Sequence, residues 1–403
     1  MNDVSRRSVT YLDHAATTPV YPEVVEAMTA QLARLGNPSS LHGSGRSARR
    51  VVEESRETIA AAVNARPSEV VFTSGGTESD NLAVKGSYWA RRKADPRRTR
   101  ILSTAVEHHA VLDPLHWLAT EHGADVELLP VDQDGRLDVG ALRTAIERDP
   151  ASVALISVMW ANNEVGTLQP LDEVVALAAP YGICVHTDAV QAMGQAPLDF
   201  AASGVDAMTV TGHKIGGPVG VGALVLRREA QLEALLHGGG QEREVRSGTI
   251  DAPGAVGLAA AAELAVKGRC ERARELGSLR DDLIARVLDV VPDAQPNGAI
   301  GDGRLPGNVH LSFPGCEGDS LLMLLDAQGI ECSTGSACSA GVPQPSHVLL
   351  AMGRDESLAR GSLRFSLGHT STQADVERVV GAIGPAVERA RAAGVSAPSG
   401  GGS

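Results

Sequence analysis

From Val70 to Leu226 the chain alternates short apolar, β-branched runs with longer stretches of helical spacing. The runs are Val70–Thr73, Arg100–Thr104, Val153–Val158, Ile183–Thr187, Ala207–Thr211 and Gly222–Leu226. Strands that alternate with helices predict an α/β unit with a mostly parallel sheet. Continuous apolar runs, rather than strict alternation, predict strands covered on both faces. Beyond residue 250 the pattern changes. Gly254–Lys267 is Ala-rich and helical, and Arg272–Val291 is a charged amphipathic helix ending before Pro292. Strand signals at Asn308–Phe313 and Ser362–Ser366, a helix at Asp319–Ala327 and a last helix from Thr372 predict a smaller α+β unit. The expected division is 15–265 for the large domain, 1–14 with 266–390 for the small one, and a disordered Ala/Gly/Ser tail at 391–403.

The length of 403 residues is enough for two such units and a large core. Thirty-six basic against 49 acidic residues leave a net charge of −13, which argues against a nucleic-acid partner held on a basic surface. No apolar run approaches the ~20 residues of a membrane-spanning helix, and the first residues show no apolar signal core. Five scattered cysteines make no disulfide framework and no CxxC zinc pattern. A reducing cytoplasm is the expected compartment.

The polar, glycine-rich segments fall at the C-terminal ends of the expected strands, the edge where parallel α/β sheets bind ligands. Thr73–Asn81 (TSGGTESDN) runs from a strand through two glycines into a helix start. Gly76 and Thr77 there suit an anion, although an ordinary capped turn would read the same way. Asp188 ends a strand and is either a helix cap or the partner of a protonated ring nitrogen. Gln191 follows one turn later. Thr211, His213 and Lys214 end the next strand. A lysine among small residues suits a flat ligand laid over it, and desolvation makes it a Schiff-base nucleophile. His108, in Glu107–His109, is a capping residue or a stacking one. Arg364 is a surface ion-pair residue or a carboxylate clamp. Gly329–Gly341 displays Cys338 among Gly, Ser, Thr and Ala, which suits a mobile loop with a reactive thiol. Cys332, ahead of it, reads as a buried strand cysteine. Weak singly, these features together are the parts of a pyridoxal phosphate site.

The chain resembles the pyridoxal-phosphate-dependent cysteine desulfurases of the fold-type-I aminotransferase class. The resemblance runs from YLDHAATTP at Tyr11–Pro19 to RFSLGHTST at Arg364–Thr372. Between them stand NPSSLHGSGR, FTSGGTESDNLAVKG, EHHAVL, WANNEVGT, HTDAVQAMG, TGHKIGGPVGVGAL, GGGQEREVRSGT and STGSACSAG, in order. The resemblance implies that Lys214 carries pyridoxal 5'-phosphate covalently and that Asp188 pairs with its ring nitrogen. Gln191 would bond the ring hydroxyl and His108 would stack on the ring. Gly76, Thr77, Thr211 and His213 would hold the phosphate. Thr249 would reach the phosphate of a neighbouring subunit, which implies a homodimer. Asn163 and Arg364 would hold the carboxylate of L-cysteine, and Cys338 would take its sulfur as a persulfide, with alanine released. His108 is also a possible acceptor for the thiol proton. The Cys338 segment is similar to that of the longer-looped class, which implies a sulfur-acceptor protein of iron–sulfur assembly or tRNA thiolation. A selenocysteine lyase, another lyase or an aminotransferase on the same scaffold is the alternative.

Overall fold

The structure is a computed structural model that describes residues 9–335 and 344–395. Its centre is a seven-stranded sheet. The strands in chain order are β2 (Val70–Thr73), β3 (Arg100–Thr104), β4 (Asp125–Leu129), β5 (Val153–Ser157), β6 (Cys184–Asp188), β7 (Ala207–Thr211) and β8 (Gly222–Leu226), after a short β1 (Thr10–Tyr11) that lies elsewhere. Their order across the sheet is β2-β8-β7-β6-β5-β3-β4. Only β8 runs against its neighbours; β7, β6, β5, β3 and β4 pair in parallel. The sheet is thus the mostly parallel one expected.

Both faces are buried, as the continuous apolar runs require. Leu102 and Ile156 point into one apolar cluster, while Ile101 and Leu155 point into another on the opposite face. The helix Gly76–Ala94 packs across β5, β7 and β8. On the other side Pro22–Leu32 and Gly43–Ala62 both pack on Ala252–Val266. That last helix buries nine of its residues, because alanine and glycine let two neighbouring helices approach closely.

A separate apolar cluster joins Leu12, Leu283, Val309, Leu311, Phe313, Phe365 and Val379. Here β10 (Asn308–Ser312) pairs antiparallel with β12 (Ser362–Ser366) and with the short β9 (Gln295–Pro296). The helices Arg269–Val290 and Gln373–Val395 pack on one another over this sheet. β1 pairs in parallel with β11 (Ile330–Glu331), which ties the start of the chain to this second body.

Three differences from the pattern-based expectation have physical causes. β4 was not anticipated, since as an edge strand it is largely exposed and lacks an apolar run. The two-residue strands β1, β9 and β11 are too short to leave a pattern. Residues 391–395, expected in a tail, belong to the last helix, which continues through Val395. Arg391 holds it there, donating to the Pro314 carbonyl at 2.9 Å and pairing with Asp293 at 2.7 Å. Residues 396–403 lie outside the described residues.

Gly222 marks a close backbone approach at the functional edge. A Cβ there would lie 2.8 Å from the Gly75 Cα and 2.8 Å from the Val210 carbonyl oxygen, backbone against backbone. Gly222→Ala therefore has no flexible side chain to displace, and overpacking of this kind costs about 1–3 kcal/mol. Urea unfolding should show that loss. An unchanged unfolding midpoint would contradict the packing described.

Candidate active site

The C-terminal ends of β2, β3, β5, β6 and β7 open on one side of the sheet, and the second body closes over them. Between them lies a cavity of about 440 Å³. Among its lining residues are Gly76, Thr77, His108, Asn163, Asp188, Gln191, Thr211, His213, Lys214 and Arg364. Ten sites scattered over nearly 290 positions of sequence thus converge on one space.

The anion end is built by the turn from β2 into the helix Gly76–Ala94. Gly75 sits at the N-cap with φ of 149°, a conformation open to glycine. The helix start presents its first-turn N–H groups and the positive end of its dipole to the cavity. A Cβ on Gly76 would meet the Val190 Cγ2 at 3.1 Å, so the small residue keeps the turn close to β6. Glu78 fixes the turn from behind: it accepts from the Ser74 N–H at 2.7 Å and pairs with Arg246 at 2.8 Å. Thr211, at the end of β7, donates its hydroxyl to the Val221 carbonyl at 3.3 Å.

Asp188 and Lys214 face the middle of the cavity. Asp188 ends β6, and its Oδ1 accepts from the Val190 N–H at 2.9 Å. Burial, reinforced by the nearby Asp80, pushes its carboxyl up to about 7. Burial, then the charge of Arg364, pulls the Lys214 amine down to about 8. Burial therefore penalises the charged form of each group, and a ligand that pairs with Asp188 or reacts with the amine would relieve that cost. The Lys214 Nζ donates to the carbonyls of Ala15 and Ala16, the latter at 2.8 Å. Gln191 donates to the same Ala15 carbonyl at 2.9 Å. The segment HAATTP, quoted above only for its resemblance, is thus what steers both side chains.

His108 is the N-cap of the helix His109–His122, and its Nδ1 accepts from the Ala110 N–H at 3.1 Å. The neutral ring then carries its hydrogen on Nε2. Burial, and then Lys214, holds the ring down to about 4, so it resists a second proton while the cap bond is made. Its place in the cavity wall remains. His213 is likewise held down to about 4 by burial and then Lys214.

At the other end Arg364 is 5% exposed. One of its Nη atoms donates to the Asn163 carbonyl at 2.9 Å and the other to Asp13 at 2.8 Å. Asn163 sits in the turn after β5 and Arg364 at the centre of β12, so the two bodies meet on this contact. Thr249 is not brought in: it is exposed and outside the cavity wall. Cys338 lies outside the described residues, but the chain on both sides of it reaches the cavity, with Ser333, Gly335 and His347 in the wall. Cys332 is 8% exposed just past β11, and burial pushes its thiol up to about 12, which leaves it unreactive. Sequence reasoning missed Asp13, Asp80, Glu107 and Glu164. Their motifs were in view, but nothing in a single sequence marks a side chain that the fold will bury.

The family-wide comparison agrees with this geometry: the chain belongs to the aminotransferase class-V family, whose model matches residues 10–379. Within it, the chain is 60% identical to an IscS-like cysteine desulfurase of Mycobacterium tuberculosis, over 96% of this chain and 98% of that one. It is 43% identical to the cysteine desulfurase NifS of Azotobacter vinelandii, over 94% and 93%. Among solved structures, a NifS-like protein superposes with a TM-score of 0.86 at 34% identity, over 95% of this chain and all of that chain. One from Rickettsia africae gives 0.83 at 31%, over 94% and 100%.

Glu107 gives the site a pH signature. It is fully buried; its Oε1 accepts from Thr104 and the Met159 N–H, while its Oε2 has no partner. Burial pushes it up to about 8 from 4.5. Between those values the folded state keeps a proton that the unfolded state has lost, so stability falls as pH rises through the window. Asp80 and Asp188, both raised to about 7, act in the same direction. Buried histidines such as His186, lowered from 6.5 to about 4, oppose this only below 6.5. The ligand-free protein should therefore lose stability from pH 6.5 to 8, and Glu107→Gln should flatten the slope. Urea titrations across that range check it; equal slopes in both proteins would contradict a protonated Glu107.

Proposed function

We propose that this chain is a cysteine desulfurase that uses pyridoxal phosphate, removes the sulfur of L-cysteine and releases L-alanine. The observation that carries the reading is the convergence of Lys214, Asp188, the helix N-terminus at Gly76 and Arg364 on one cavity. The names of its full-length relatives agree with it.

The residues fit the cofactor. A buried carboxyl at the strand end, held up by desolvation, gains from a cationic ring nitrogen. A desolvated lysine amine is poised for covalent attachment to an aldehyde. The helix start, with Gly76, Thr77, Thr211 and His213, suits a phosphate. When bound, pyridoxal phosphate supplies the electron sink for loss of the substrate Cα proton. Lys214 holds the group and then, as a free amine, takes that proton on its Nζ. Asp188 would hold the ring-nitrogen proton in place, Gln191 would bond the ring hydroxyl, and His108 would stack on the ring. Asn163 and Arg364 orient the substrate carboxylate.

The Cys338 thiolate attacks the substrate sulfur. A sulfur–sulfur bond forms, the carbon–sulfur bond breaks, and the persulfide stays on Cys338. Cys338 is three residues from Gly335, within about 11 Å of chain reach, and Gly335 lines the cavity. The persulfide would pass to an acceptor protein of iron–sulfur assembly or tRNA thiolation.

A homodimer is part of the reading. Leu32, Leu35, Leu41 and Val219 are exposed large apolar residues, the kind of surface a second copy covers. Thr249, exposed and unused in its own cavity, would complete the partner's phosphate site. The described cysteines are all free, which suits a reducing cytoplasm. We take the large domain as 15–265 and the small one as 1–14 with 266–390, and described residues of both line the cavity.

Two substitutions test the assignment. Asp188→Asn should bind the cofactor yet lose most turnover, because an amide cannot balance a protonated ring nitrogen. Electrostatic partners of this kind contribute about 3–4 kcal/mol to a transition state. Steady-state alanine release checks it, and near wild-type turnover would contradict the pairing. Cys338→Ser should bind cofactor and substrate but gain no sulfur when mass spectra are recorded after a cysteine pulse. Sulfur at Cys332, or normal turnover, would place the nucleophile elsewhere.

A further inference from the structure

The carboxylate clamp holds a charge that the proposed reaction does not use. Arg364 approaches Asp13 at 2.8 Å, and its other Nη is committed to the Asn163 carbonyl at 2.9 Å. The Arg364 Nε is buried and has no partner. Each Nη therefore already has one acceptor in the protein, and the guanidinium keeps further N–H groups unspent. Asp13 is itself fixed. It bridges to Ser366 of β12, and its carbonyl accepts from the Tyr11 hydroxyl at 3.1 Å.

The charge inventory of the cavity follows. Among the described residues of the wall, Lys214 and Arg364 are the lysine and arginine side chains. Lys214 is committed to the cofactor amine chemistry. Arg364 is cancelled by Asp13. His108 and His213 stay neutral near pH 7, since burial holds both near 4. Asp80 and Asp188 add carboxyls, and Glu164, which accepts from the Ser346 hydroxyl, adds a third; His109 and His347 complete the ionisable groups of the described wall. A substrate with one carboxylate can take the unspent N–H groups of Arg364 through directional hydrogen bonds. A substrate whose side chain ends in a second acid group finds no uncompensated lysine or arginine and faces carboxyl groups instead.

We infer that Asp13 is the specificity-determining residue of the carboxylate subsite: it pairs with one arm of Arg364 and cancels its charge, so that the site takes amino acids with an uncharged side chain and rejects dianionic ones. This rests on the desulfurase reading for the identity of L-cysteine, but the electrostatic argument needs only the geometry. Asp13 is a positioning residue, acting through Arg364. It faces Arg364 and Lys214, and its charge opposes the pull of Arg364 on the Lys214 amine.

The test compares the wild-type holoenzyme with Asp13→Asn, which keeps shape and an acceptor oxygen, and Asp13→Glu, which keeps the charge. Two readouts are taken. One is the ratio of kcat/KM for L-cysteine sulfinate over L-cysteine. The other is the binding of L-aspartate against L-alanine, followed through the absorbance of the bound cofactor. Asp13→Asn should raise both ratios roughly tenfold or more, the scale of one unmasked charge, while Asp13→Glu stays near wild type. Unchanged ratios in Asp13→Asn would overturn the inference. So would an equal rise in both variants, which would show that shape rather than charge sets the preference. The binding readout needs no turnover. A wild-type enzyme that releases no alanine from L-cysteine would sink the desulfurase reading and leave the aspartate comparison to decide the role of Asp13.

Discussion

The site depends on keeping an amine and a carboxyl away from water at the C-terminal edge of one sheet. Burial works against the charges of Asp188 and Lys214, lifting one to about 7 and lowering the other to about 8. That cost is tolerable only because the surrounding sheet is rigid and covered on both faces. The stored unfavourable energy is what a cofactor with a basic ring nitrogen and an aldehyde would release on binding. The neighbouring Asp80 deepens the effect on Asp188, and both in turn raise the buried Glu107, since like charges in a dry place suppress one another's ionisation.

The segment from Asp13 to Ala16 links this edge to the second body. Its carbonyls at Ala15 and Ala16 orient Lys214, and its Asp13 holds Arg364 on β12. One short piece of chain therefore sets the lysine, the glutamine beside it and the carboxylate clamp. The contact between Arg364 and the Asn163 carbonyl completes the seam between the two bodies. Under the proposed function, a substrate held at this seam would contact both walls at once, groups far apart in sequence.

Much of this was legible beforehand. Strands such as VALIS and AMTVT are buried on both faces and announce themselves as apolar runs. The glycines of TSGG and the lysine of TGHK stand at strand ends, so the parallel-sheet rule places them together without coordinates. β4 escaped because an edge strand carries no such run. The role of Asp13 escaped for a different reason: a charged residue in a motif looks the same whether it caps a turn or cancels an arginine. His108 was foreseen in the wall, but the direction of its lone pair is set by the helix it caps, which sequence alone does not orient.

The most direct measurement of the central claim is peptide mapping of the protein after loading with pyridoxal phosphate and reduction with borohydride. The dry amine at the sheet edge should carry the label, so the modified peptide should contain Lys214 and no other lysine. Label on Lys85 or Lys267 instead, or none at all in the folded protein, would contradict the account.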